Sequence, residues 1–547
     1  MPSFGLALLA GSALLRRCRA AFRRSMISRP PRPDRDALSL TFDTSTARAR
    51  QGWAAFWARD PFVQAQRNRT GMAFGTYAVP GGDPITTHLA PSDLLQHTLV
   101  LGATGSGKSS LLEHLAQYHV REQRGFTLID LHGDLFARVA ARAVATPPPR
   151  LVLIDFTRPE TLPGWNLLTR LAGVDIGRHV DLLVGVLKRL YAGEDVASWS
   201  WGVKVEEITR YALRACIESA EPITLVELRS FFLLPAVRQQ VLATASAGVR
   251  GYFTSRFGAR EEMYVSAVLN KLEPFLGSTA VQRFLGQPQS TIDLLGVIDR
   301  GDTVLVNLAK GYLGPTADVV GRLIVNALQT AALRRERVPP DKRRPYSILL
   351  DEAHVLAAAE SGLEDFLVAA RKYRVFVTLA AQGLSLFPPS FRPHLLGNTG
   401  RQFFFRLPHS EARALARDIF EPLGSVWREQ TRPNERIEEP LLTAPEEIAW
   451  RTADLANLPV GACYWLLKGR PYKARRIQVL KPVPVPFSPR ELRTRIDAAM
   501  LAWKDGERAR VPATLTEAAS PLHDAIAARS ARRMRAAGIA ADDDMNS

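Results

Sequence analysis

A chain of 547 residues is too long for one core, and its 46% hydrophobic and 23% charged content is ordinary globular composition, so two or three domains are expected. Three widely spaced cysteines, Cys18, Cys216 and Cys463, exclude a disulfide framework and a zinc site and fit a reducing cytoplasm. The 71 Lys+Arg against 54 Asp+Glu leave a formal charge of +17, which favours polyanionic partners such as nucleic acid or an anionic membrane face.

In chain order, residues 1–50 form a basic arm with seven arginines between Arg16 and Arg32 and the first acid at Asp34. Phe4 to Leu15 is the longest apolar stretch there, shorter than the roughly 18–20 residues that cross a bilayer. With Arg16, Arg17, Arg19, Arg23 and Arg24 behind it, the stretch reads either as an interfacial anchor on anionic lipid or as a disordered basic arm. Residues 51–175 hold a mixed lead-in and then the start of an α/β region. Strands are expected at His97–Leu101, Phe126–Asp130 and Leu151–Asp155, separated by helical stretches. Residues 176–290 contain no strong strand and read as an inserted all-helical domain, with helices at Val180–Tyr191, Val205–Glu218 and Val265–Phe275. Its aromatics Tyr191, Trp199 and Trp201 suit a helical core or stacking on single-stranded bases. Residues 291–480 resume the alternation with strands at Thr303–Leu308, Ser347–Asp351, Val375–Leu379, Gln402–Phe405 and Cys463–Leu467. A proline linker (Pro482, Pro484, Pro486, Pro489), a helix at Arg490–Lys504 and a basic tail with Arg529, Arg532, Arg533 and Arg535 fill 481–547.

The chemistry starts where the first strand runs into Gly102-Ala103-Thr104-Gly105-Ser106-Gly107-Lys108-Ser109, followed by a helix from Ser110. Glycines let backbone N–H groups close on phosphate oxygens, Lys108 supplies a point charge to the β/γ-phosphates, and the Ser109 hydroxyl can ligate Mg²⁺. Strand, loop and helix in that order place an anion at a helix N-terminus. The fourth strand ends in Asp351-Glu352-Ala353-His354. Asp351 is the second expected Mg²⁺ residue, and Glu352 the residue that orients and polarises an attacking water. The fifth strand leads to Gln382, a polar group at the same sheet edge suited to sensing the γ-phosphate. Arg371, Lys372 and Arg374 precede that strand and suit either a solvated or DNA-facing patch or a guanidinium delivered to a neighbouring subunit.

Together, HTLVLGATGSGKSS, LIDLHGDL, LVLIDF, VNLAKGYLG, SILLDEAH, AARKY and DLANLP resemble the HerA–FtsK superfamily of motor ATPases. Within it, they look most like the TraG/TraD-type coupling ATPases of type IV secretion. The resemblance covers about residues 95–470. It implies a RecA-like P-loop fold of the ASCE class, with a mainly parallel sheet, helices on both faces and an inserted all-α domain. It also implies ATP and Mg²⁺ as cofactors, a homo-hexameric ring and DNA in a central channel. Arg371 of AARKY is the candidate trans-acting arginine, while Asp130 and His132 fall in a recurring family stretch without a physical role of their own. Coupling proteins usually begin with membrane helices, for which this chain has room only at Phe4–Leu15. A cytoplasmic protein, peripheral at the inner membrane or docked on channel or relaxosome proteins, is therefore expected.

The leading expectation is an ATP-driven DNA translocase that grips the backbone without reading sequence. Its affinity should fall with salt at a log–log slope of about −0.9 per duplex phosphate neutralised. The alternatives are a protein-export ATPase, a HerA-like DNA-processing motor and a nucleotide-gated scaffold. A DEAH-type RNA helicase is disfavoured, because the residues after Asp351 leave little room for a second RecA-like domain.

Overall fold

The computed structural model describes residues 58–79, 82–170, 174–190, 202–357, 363–420, 443–469 and 474–510. The basic arm with Phe4–Leu15, the aromatics Tyr191, Trp199 and Trp201, and the arginines from Arg529 onward lie outside the described residues.

Eleven strands form one sheet. They are β1 (Met72–Tyr77), β2 (Ile85–Leu89), β3 (Thr98–Leu101), β4 (Phe126–Asp130), β5 (Leu151–Asp155), β6 (Thr303–Asn307), β7 (Tyr346–Leu350), β8 (Val375–Ala381), β9 (Arg401–Phe405), β10 (Ala462–Leu467) and β11 (Arg475–Val479). Their order is β2-β1-β11-β10-β9-β3-β8-β7-β4-β6-β5. From β9 to β5 all neighbours pair in parallel, whereas β10, β11, β1 and β2 extend the sheet antiparallel beyond β9. The protein has a RecA-like α/β fold, with the strand leading to Gln382 lying between the phosphate-loop strand and the Asp351 strand.

The parallel strands are continuous apolar runs because both their faces are covered. Alternate residues supply two cores. Leu99, Ile129, Val304, Leu350 and Val377 face one side, under the helix Thr316–Arg334 with its buried Val320, Ile324 and Leu328. Val100, Leu128, Leu305, Leu349 and Phe403 face the other, under helices Lys108–Arg121 and Asp134–Ala145. Met500 of the long helix Pro489–Arg510 is buried on this second side, and Asp497 of that helix bonds Arg158. The helix that follows the proline linker is therefore docked on the sheet domain through these residues.

Among the described residues, every regular element between β5 and β6 is helical, and the apolar residues of these helices share the first core. Entry and exit are tied together. The Trp165 N–H donates to Phe284 O at 2.6 Å and the Thr291 N–H to Gly164 O at 2.8 Å. The buried Asn166 side-chain amide donates to Ile223 O at 3.0 Å and to Pro288 O at 2.9 Å. β1, β2 and β11 were not expected from the sequence, since their mixed burial carries no continuous apolar run.

Candidate nucleotide site

The parallel strands all point their C-terminal ends at one edge, and their polar terminal residues meet there. β3 enters the loop Gly102–Ser109, which is fixed from below. The Gly102 N–H donates to Ala381 O at 3.1 Å and the Ala103 N–H to Arg406 O at 2.7 Å, while Ser106 O accepts from the Gly461 N–H at 2.8 Å. Two glycines are demanded sterically. A Cβ at Gly102 would sit 2.5 Å from Phe405 Cβ, and Gly107, at φ +116°, would put one 2.9 Å from Gly461 Cα. Gly461 lies just after the DLANLP stretch, so that late motif forms the floor of the loop. Thr104 and Gly105 form its exposed tip, and Ser109 and Ser110 are half-buried in the first helical turn.

No side chain caps the helix Lys108–Arg121, so its leading N–H groups are available to an anion. The buried Ser106 hydroxyl has no partner either. Lys108 is folded back, its ammonium donating to Gly102 O at 2.7 Å and to Ala103 O at 3.3 Å. Burial lowers its pKa, and the Glu352 and Asp351 charges pull it back up. The lysine therefore shares one electrostatic neighbourhood with both carboxylates.

β7 ends at that neighbourhood. Asp351 is buried, and its carboxyl is pushed up to about 6 by burial first and then by the charges of Asp130 and Glu352, with Lys108 opposing. Glu352 sits in the left-handed region at φ 49°, a conformation that a non-glycine residue rarely adopts. This turn aims its carboxylate at Gln382, whose side-chain amide donates to Glu352 Oε1 at 3.2 Å. On the other oxygen, His354 Nδ1 lies 3.4 Å from Oε2, and both atoms are buried without a hydrogen bond. Burial lowers the His354 pKa, so its ring is neutral near pH 7. The structure thus brings together the loop, Asp351, Glu352 and Gln382, and adds His354.

Asp130 acquires a role here. It is buried and accepts from the His132 N–H at 2.9 Å and the Phe136 N–H at 2.8 Å, capping the turn into helix Asp134–Ala145. The His132 side chain is exposed. One strand over, Asn307 donates to Asp155 Oδ1 at 2.8 Å and continues the polar edge.

Arg371 is elsewhere. It precedes β8 whereas Gln382 follows it, so the two lie at opposite edges of the sheet, about 20 Å apart along a seven-residue strand. Within one chain it cannot reach the loop. The described residues contain no cluster of three or more His, Cys, Asp or Glu able to hold a metal ion by itself. They also contain no helix long and apolar enough to cross a membrane.

No protein-family model and no curated protein matches the sequence. Solved structures do match. The bacterial conjugative coupling protein TrwB, in a trigonal form with sulphate, superposes with a TM-score of 0.51 at 16% identity, over 78% of this chain and 94% of that one. The fold is that of TrwB. The same protein in complex with ADP and Mg²⁺ gives 0.50 at 16% identity over the same shares, and its unbound monoclinic form gives 0.50 at 16% over 78% and 93%. The RecA-like architecture read from the motifs is thereby established for this chain.

Proposed function

We propose that this protein is a Mg²⁺-dependent ATPase of the type IV secretion kind that moves DNA. The observation that carries the reading is the carboxylate pair Asp351–Glu352 beside Lys108, with Gln382 on Glu352. The residues present fit a Mg-nucleotide: an uncapped helix N-terminus, an unpartnered Ser106 hydroxyl and an ammonium held only by loop carbonyls. The similar protein TrwB has been crystallised with ADP and Mg²⁺.

In this reading the N–H groups of Gly102–Ser110 wrap the phosphates, and Lys108 leaves Gly102 and Ala103 to face them. Ser109 and Asp351 would hold Mg²⁺, which would supply positive charge to offset that of the phosphates. Glu352 takes a proton from water, and Gln382 links its position to the γ-phosphate. Because Arg371 is remote from its own loop, it serves the site of a neighbouring copy in a homo-hexameric ring. Residues 176–290 serve as an inserted helical domain of this motor, packed on the same core as one face of the sheet. The basic surplus binds DNA through its phosphates, and contacts with secretion-channel or relaxosome proteins at the cytoplasmic face of the inner membrane complete the picture.

Binding of unrelated single- and double-stranded DNA across a salt series tests this. The expected result is sequence-independent binding with a negative log–log slope of several units, about −0.9 per duplex phosphate neutralised. Absence of binding at low salt from a protein that still hydrolyses ATP and associates tightly with channel proteins would instead indicate protein export.

A further inference from the structure

The turn Arg371–Arg374 is held more completely than a helix-to-strand connection requires. All four of its carbonyls are engaged. Arg371 O accepts from the Arg374 N–H at 3.0 Å, and Arg374 O from the Tyr346 N–H at 3.0 Å. The two between them take side chains: Lys372 O accepts from Arg343 Nη1 at 2.8 Å and Tyr373 O from Arg335 Nη1 at 3.0 Å.

Both donors are buried arginines from the segment that precedes β7, Arg335 at 1% and Arg343 at 5% exposure. Arg335 spreads its fork over two further backbone carbonyls and one acid. It donates to Arg344 O at 2.7 Å and to Ile298 O at 2.7 Å, and it pairs with Asp299 at 2.7 Å. Arg343 also donates to Val338 O at 2.8 Å and lies 5.4 Å over the Tyr373 ring. It has no carboxylate partner among the described residues, so its charge rests on carbonyl dipoles. Burying a guanidinium that way is costly, and closing a turn does not demand it. Arg374 adds a left-handed φ of 56°.

What this framework displays is the Arg371 side chain, exposed and without a hydrogen bond or ion pair among the described residues. We propose that Arg335 and Arg343 are positioning residues that lock the Arg371–Arg374 turn, so that Arg371 meets the nucleotide of a neighbouring copy already ordered. The proposal rests on the trans-acting reading of Arg371 given above. A guanidinium on a loose turn loses its freedom anew at each transition state, whereas a fixed one acts without that reorganisation. Arg343 reaches Val338 O and Lys372 O from two different nitrogens, Nε and Nη1, held at a fixed spacing in one plane, which the single nitrogen of a lysine does not reproduce.

The test uses the full-length chain with Arg343→Lys, which keeps the charge but lacks the fork. Arg343→Gln is the second variant; it removes the buried charge and so spares folding. Melting temperature, nucleotide affinity and ATP turnover are measured, and each variant is then mixed with Lys108→Ala, which has a dead site but an intact turn. Arg371→Ala is carried alongside. Expected for both Arg343 variants are a turnover loss of about tenfold and a nucleotide affinity within about twofold. Equimolar mixing should recover about a quarter of wild-type turnover, the share of head-to-tail boundaries where a live site meets an ordered arginine. Unchanged turnover in folded Arg343 variants overturns the proposal. So does a loss that mixing fails to rescue while Arg371→Ala is rescued, since Arg343 is then merely structural. Failure of Arg371→Ala to be rescued removes the trans-acting reading itself, and this proposal with it.

Discussion

Two non-glycine turns of this protein adopt the left-handed region at opposite edges of the same sheet, Asp351–His354 around Glu352 and Arg371–Arg374 ending at Arg374. They differ in what they leave unfinished. In the first, Glu352 Oε2 and His354 Nδ1 are buried without a hydrogen bond, and burial with like charge displaces the Asp351 pKa. In the second, every carbonyl is bonded, and the exposed side chain left without a partner among the described residues is the Arg371 guanidinium. The acidic turn keeps its side chains available for chemistry; the basic turn keeps its backbone rigid for presentation. Strain alone does not separate the two. The accounting of partners does.

The largest way to break this contrast is Glu352→Gln. Turnover should fall by about 10²–10⁴ with nucleotide affinity retained, because only the proton acceptor is lost. Retained turnover, measured by phosphate release, would reduce the acidic turn to a structural one. A smaller effect is expected at His354. Replacement by Ala should cut kcat about tenfold with KM unchanged, the scale of a group acting through another, and Asn should restore much of it. Equal losses in Ala and Asn would remove His354 from the site.

The smallest effect concerns stability. The Asp351 carboxyl is raised from 3.8 to about 6, so between these values the folded chain binds more protons than the unfolded one. Its contribution is therefore favourable at low pH and is lost as pH rises through about 6; above that, the ionised group is destabilising. Asp351→Asn should raise stability at pH 8 by about 1–3 kcal/mol, with the gain fading towards pH 4, while turnover is lost. A melting series over this range checks the sign, and a gain that grows on acidification would contradict it.

Much of this was legible in the sequence for a physical reason. Strands covered on both faces are written as unbroken apolar runs, and β3 through β9 are read directly from them, as are the residues that terminate β3, β7 and β8. Of the antiparallel extension, only β10, itself an apolar run, is read this way. β1, β2 and β11 alternate irregularly, and β1 and β2 carry Gly75 and Thr87 where an apolar run would be needed. The contact between His354 and Glu352 sat inside a motif already singled out, but sequence spacing does not tell which face of the turn the ring takes. Arg335 and Arg343 were invisible for the opposite reason, since an arginine in a basic stretch reads as surface. Asp130 was noticed without a role, because its two backbone partners exist only once the turn before helix Asp134–Ala145 is formed.

ATP turnover by the purified full-length chain, with and without DNA, for the wild type and Glu352→Gln in the same buffer, tests the central claim most directly. The account predicts hydrolysis that DNA accelerates and that the substitution abolishes while nucleotide stays bound. Turnover indifferent to DNA, or undiminished in Glu352→Gln, would contradict it.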